Sequence, residues 1–146
     1  MPVFKFTTPV TVRYGDLDAQ GHLNHARYFT YMEEARFQYI RVLGLWTDLH
    51  DFNAVGQIVA EAACSYKAPV FLGQTVDVAV RIARLGNKSL EMDYLLTVGG
   101  QEVARGRTVQ VAYDYAAGCS IPIPDAWRQV IAAFEPDLSS PGLSTP

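Results

Sequence analysis

The chain is poor in cysteine, has no excess of positive charge and lacks any long apolar run. Its two cysteines, Cys64 and Cys119, have no Cys-x-x-Cys spacing. Neither a disulfide framework nor a cysteine zinc site is expected, and both read as ordinary buried or free thiols. Twelve Lys and Arg against fifteen Asp and Glu give a formal net charge of −3, with no basic cluster. That pattern argues against nucleic acid and against an anionic membrane surface as partners. No stretch approaches the roughly 18 apolar residues of a membrane span, and the opening MPVFKFTTPV has one Lys and no apolar run of leader length. An unexported, cytoplasmic protein is the expectation.

What is present suits one α+β domain. At 146 residues and 49% hydrophobic, the chain can bury one core. Residues 1–135 read as that domain, and 136–146, within a stretch from Glu135 onward rich in Pro, Ser and Gly, as a flexible tail. Val10 to Tyr14 alternates as a half-buried strand. From His25 to Leu43, Tyr28, Phe29, Met32, Ala35, Tyr39, Ile40 and Leu43 recur at helical spacing, with Asn24 as N-cap, Leu23 and Tyr28 as a staple and Gly44 at C′. Strands are then expected at Val55–Lys67, at Gln74–Arg84 with Val76, Val78, Val80 and Ile82 on one face, at Ser89–Val98, and at Glu102–Tyr115 with Val103, Val109, Val111, Tyr113 and Tyr115 alternating. Gly86-Asn87 and Gly99-Gly100 read as the turns between the last three, and Asp125–Phe134 as a short amphipathic helix. A helix laid on a largely antiparallel sheet buries both apolar surfaces.

Polar residues concentrate in Asp16-Leu-Asp-Ala-Gln-Gly-His-Leu-Asn-His25, just before the long helix. The first N–H groups of a helix lack intrahelical partners and carry partial positive charge. If Asn24 takes the N2 or N3 amide, the His25 amide stays free to bind a carbonyl or oxyanion. Asp18, six residues earlier, could then face a carbonyl held there, either attacking it or activating water. Loop physics alone favours a plainer reading, in which Asp16 and Asp18 bond nearby amides as turn residues. A metal site built from His22, His25 and Asp18 falls short of the arranged ligands and supporting shell that catalytic zinc needs, so no metal or cofactor is expected.

The stretch VRYGDLDAQGHLNHARYFTYMEEAR, residues 12–36, resembles the signature of the 4-hydroxybenzoyl-CoA thioesterase family: Asp-x-Asp, Gly-His-x-Asn, then a Tyr and Glu-Ala-Arg. Tyr66-Lys-Ala-Pro69 with Gly73, and Gly86-Asn-Lys-Ser89, are similar to its later motifs. The resemblance implies a hot-dog fold, a long central helix wrapped by a five-stranded sheet, in subunits that pair through their sheets as dimers or tetramers with sites at the interface. It implies acyl-CoA thioester hydrolysis, with Asp18 as catalytic carboxylate, the His25 backbone amide as carbonyl ligand, Asp16 in support and His22 orienting the loop or lining the pocket. Asn24 and Tyr28 would lie at the substrate, and Arg84, Lys88 and Ser89 near the CoA phosphates, although the consecutive arginines of one branch are missing here. The plainer readings are a structural histidine for His22, a cap for Asn24, core for Tyr28 and a solvated turn for Lys88. Glu33, Glu34 and Arg36 read mainly as a solvated or ion-paired helix face, with Glu34 as a minor catalytic alternative. A non-hydrolytic acyl-binding protein and a thioesterase acting on acyl-ACP are the rival functions. Which of Tyr28, Met32, Phe71 or Trp46 reaches the acyl group is left open.

Overall fold

The computed structural model describes residues 2–138. Its strands are β1 (Phe6–Thr11), β2 (Gln57–Tyr66), β3 (Thr75–Leu85), β4 (Ser89–Val98), β5 (Gln101–Asp114) and the short β6 (Cys119–Ser120). Its helices are α1 (Arg27–Val42) and α2 (Asp125–Phe134), with 3-10 turns at Tyr14–Asp16 and Phe52–Val55. The sheet order is β1-β3-β4-β5-β2, all pairs antiparallel, and β6 pairs with β5. Beside the five long strands that the sequence suggests, there is thus a sixth of two residues. The first strand lies at Phe6–Thr11 rather than Val10–Tyr14, because Arg13 and Asp16 close a capping box that draws the chain off the ladder.

Helix α1 contacts β3 and both edge strands, β1 and β2, so the sheet curls toward it from its two sides. The alternation in β3 and β4 falls as expected: Val76, Val78, Val80 and Ile82, and Leu90, Met92, Tyr94 and Leu96, are all buried. Strand β5 departs from it. A register shift opposite Leu96/Thr97 moves its phase, and Ala104, Gly106, Thr108 and Gln110 stand opposite the buried β4 residues, whereas Val109 and Val111 lie on the other face. At Gly106 α1 presses directly on the inner face of β5: a Cβ there would run into the Met32 sulfur.

Buried residues of α1 are Tyr28, Tyr31, Met32, Ala35, Arg36, Tyr39 and Ile40. Burying each large apolar side chain contributes about 1.5–3 kcal/mol. Arg36, read as part of a solvated or ion-paired face, is ion-paired to Glu33 but buried, 6% exposed. Its guanidinium donates to the Tyr94 hydroxyl at 3.2 Å and to Glu33 at 3.5 Å, and Tyr94 continues through Thr108 to Gln110. The helix ends as the sequence suggests: Gly44 has φ +76°, its amide donates to Arg41 and the Leu45 amide to Ile40, a Schellman closure.

Glu135, expected to begin a fraying segment, is buried. β1 begins with Phe6 opposite Val80. Beyond it, Glu135 accepts from the Ile82 amide at 3.0 Å and from the Tyr39 hydroxyl. Asp137 accepts from the Val3 amide at 3.0 Å, and Leu138 packs against the core. The rest of the expected tail lies outside the described residues.

Candidate active site

Asp16 is the keystone of the loop between β1 and α1. Its carboxylate is 2% exposed and accepts from the Tyr31 hydroxyl at 2.6 Å and from the backbone and guanidinium of Arg13. Burial alone would raise its pKa, but the bonds from Tyr31 and Arg13 outweigh it and hold the carboxyl below its usual 3.8. The Asp16 carbonyl takes the Asn24 amide, and the Leu23 amide donates to Val70, so both ends of the loop are fixed.

Asp18 lies inside that frame. Its amide donates to the His22 carbonyl at 2.8 Å, while its Oδ1 accepts from the amides of Gln20 at 2.9 Å and His22 at 3.2 Å. The turn reading therefore holds for one carboxylate oxygen. Oδ2 has no hydrogen-bond partner among the described residues. The His22 ring stands edge-on to Phe71, with centroids 5.2 Å apart.

Regular α-helix starts at Arg27, two residues later than expected, because a 3-10 turn precedes it: the Arg27 amide donates to the Asn24 carbonyl. Asn24 still caps, through its side-chain oxygen on the Ala26 amide at 2.9 Å. The amide left between them, that of His25, has no acceptor among the described residues.

Asp18, Gln20, His22, Leu23, His25 and Tyr28 line one side of an open groove of about 400 Å³, and Tyr66, Lys67, Ala68 and Pro69 line the other. Tyr28 is 3% exposed, and its hydroxyl lacks a hydrogen-bond partner among the described residues. Burial, with Cys64, Tyr66 and Asp18 nearby, pushes its pKa up to about 12. Tyr66 meets Tyr28 edge-on at 4.8 Å, and its hydroxyl donates to the His25 carbonyl at 2.8 Å. Tyr66 received no role from the sequence, although the Tyr of Tyr-x-x-Pro was its signal.

Arg84, Lys88 and Ser89 are not at this groove. On the β5 ladder Tyr66 stands opposite Ala104 and Ser89 opposite Val111, roughly 23 Å apart along an extended strand. Arg84 pairs with Glu91 at 3.2 Å, and Arg128 of α2 braces the turn by donating to the Gly86 and Asn87 carbonyls. Of the residues left open for the acyl group, Tyr28 lines the groove, Phe71 packs beside His22, Met32 is fully buried and Trp46 lines a separate surface hollow with Val42 and Leu49. Glu34 is exposed and accepts from Gln38 at 2.7 Å.

A curled antiparallel sheet with two helices is the architecture of the hot-dog fold, and here a carboxylate and a helix-start amide share one groove beside it. A family model described as the Thioesterase-like superfamily matches residues 12–133, and the chain belongs to that superfamily. Among solved structures it is similar to a thioesterase from Thermus thermophilus complexed with coenzyme A and Zn: 36% identity, 89% of this chain and 93% of that one covered, TM-score 0.80. A gentisyl-coenzyme A thioesterase is 27% identical with TM-score 0.77, over 87% of this chain and 99% of that one. The 1,4-dihydroxy-2-naphthoyl-CoA hydrolase of Synechococcus elongatus is 26% identical over 126 residues, 83% of this chain and 93% of its own length.

Proposed function

We propose that this chain is an acyl-CoA thioesterase, a single hot-dog domain over residues 1–135 whose long helix is wrapped by the sheet. The observation that carries the reading is the shared groove, with the free Oδ2 of Asp18 on one wall and the unpaired His25 amide at the start of α1. The amide donates to the thioester carbonyl oxygen and stabilises the oxyanion as it forms. Asp18 then supplies the nucleophile by one of two routes. Either Oδ2 attacks the carbonyl carbon, coenzyme A leaves as the thiolate and water cleaves the resulting anhydride, or the carboxylate takes a proton from water that attacks directly. In both, the C–S bond breaks, a C–O bond forms and the thiolate ends protonated. His22 holds Asp18 through its backbone, and Asn24 and Tyr28 shape the wall.

A second copy completes the site in this reading. β2 is an edge strand of ten residues without Lys or Pro, exposed along nearly all its length, and such an edge invites pairing. Antiparallel pairing of two β2 strands about a two-fold axis brings the Ser89 end of one subunit toward the Asp18 end of the other. Arg84, Lys88 and Ser89 would then serve the CoA phosphates of the partner's groove, in a dimer or tetramer. No helix among the described residues is long and apolar enough to cross a membrane. The cytoplasm is the location we assign, open to test by fractionation.

The deciding experiment is a panel of aliphatic and aromatic acyl-CoAs with a thiol-reactive dye. Thiol release well above background from at least one is expected; none from any would overturn the proposal.

A further inference from the structure

The end of β2 and the start of α1 meet at one hydroxyl in this groove. The inner face of β2 carries Ala62, Cys64 and Tyr66, opposite Thr108, Gly106 and Ala104 of β5. Tyr66 is the last residue of β2, so its side chain leaves the end of the sheet edge and reaches the start of α1. There its hydroxyl donates at 2.8 Å to the His25 carbonyl, while its ring stands edge-on to Tyr28 at 4.8 Å and to His25 at 6.5 Å. The groove side of the helix start has no other side-chain bond to that residue among the described residues.

Resting on the thioesterase reading above, we propose that Tyr66 is a positioning residue, which aims the His25 amide at the thioester carbonyl by anchoring the carbonyl of the same residue. His25 precedes the regular helix, so its torsions are not fixed by a complete ladder of helical bonds. The peptide that carries the His25 N–H is tied through its carbonyl by the Arg27 amide, and the Tyr66 hydroxyl and the Asn24 side chain tie the next peptide through the His25 carbonyl and the Ala26 amide, so both His25 torsions are held and the N–H keeps one direction. Orientation set before reaction is what an oxyanion donor requires, since it then need not reorganise as charge develops. Burial raises the Tyr66 pKa, and Cys64 beside it adds to the rise, so the hydroxyl keeps its proton at neutral pH. Tyr66 acts through His25 rather than on the reacting atoms.

Tyr66→Phe is the test, because it keeps the ring contacts and removes one oxygen. In full-length protein labelled with 13C and 15N, the His25 carbonyl resonance should move upfield. Steady-state kinetics on the best acyl-CoA of the panel should show kcat lowered about tenfold, the worth of one ordinary hydrogen bond, with KM within about twofold, since uniform binding is untouched. An unmoved His25 carbonyl, a kcat within about twofold of the parent, or a loss confined to KM would each overturn the proposal. A parent protein inactive on every acyl-CoA would overturn the thioesterase reading, and the carbonyl resonance would still report whether Tyr66 holds the helix start.

Discussion

The Tyr31 hydroxyl donates a 2.6 Å hydrogen bond to the Asp16 carboxylate, joining α1 to a loop residue fifteen positions earlier. This bond, more than any at Asp18, fixes the loop against the helix. Tyr31→Phe leaves a buried carboxylate short of one donor and should cost about 1–3 kcal/mol of stability. Urea unfolding of the variant checks it; a midpoint equal to the parent's would refute the assignment.

The same carboxylate makes stability depend on pH. Its folded pKa lies below the ordinary 3.8, so its contribution is fully present above 3.8 and is lost as pH falls through the lower folded value. The stability gap between the parent and Asp16→Asn should be widest at neutral pH and close under acid. A gap that widens on acidification would contradict this sign.

Asp18 has two duties that different substitutions separate. Asn retains an acceptor oxygen for the Gln20 and His22 amides, so Asp18→Asn should keep the turn and the melting temperature while kcat falls about a hundredfold or more. Asp18→Ala loses both the turn bonds and the activity. Near-parental kcat in the Asn variant would remove Asp18 from the chemistry.

Gly106→Ala should destabilise through overpacking by about 1–3 kcal/mol or more, since its Cβ meets Met32. If the clash is the cause, Met32→Ala should cost less in the Gly106→Ala background than alone, by a coupling of about 0.5–3 kcal/mol. Strict additivity in a double-mutant cycle would point to another origin.

A charge on the open edge tests the proposed pairing. Ala63→Glu, on the exposed outer face of β2, should halve the mass seen by light scattering and abolish turnover, with the circular dichroism spectrum unchanged. A fully active monomer would show that the groove needs no second copy.

Much of this architecture is legible in the sequence, where one physical effect dominates. The Val and Leu alternation of β3 and β4 and the Asn24 and Gly44 caps follow from local period and backbone chemistry. β5 was less legible because its inner face is chosen by what α1 presses against it, so Gly106 and Gln110 turn inward while Val109 does not. The burial of Arg36 was illegible for a similar reason, since nothing local announces the Tyr94 hydroxyl that receives it. At the groove, Asp18, His22 and His25 stand together as the motif suggests. Arg84, Lys88 and Ser89 do not join them, because the β4–β5 ladder carries their turn to the far end of the sheet, which motif spacing alone does not reveal.

Glu135 also orders events in time. A nascent chain that has delivered every strand still lacks the acceptor for the Ile82 amide and the Tyr39 hydroxyl until residue 135 clears the ribosome. The core around Ile82 and Tyr39 therefore closes only after the last strand has been delivered, when residue 135 reaches it.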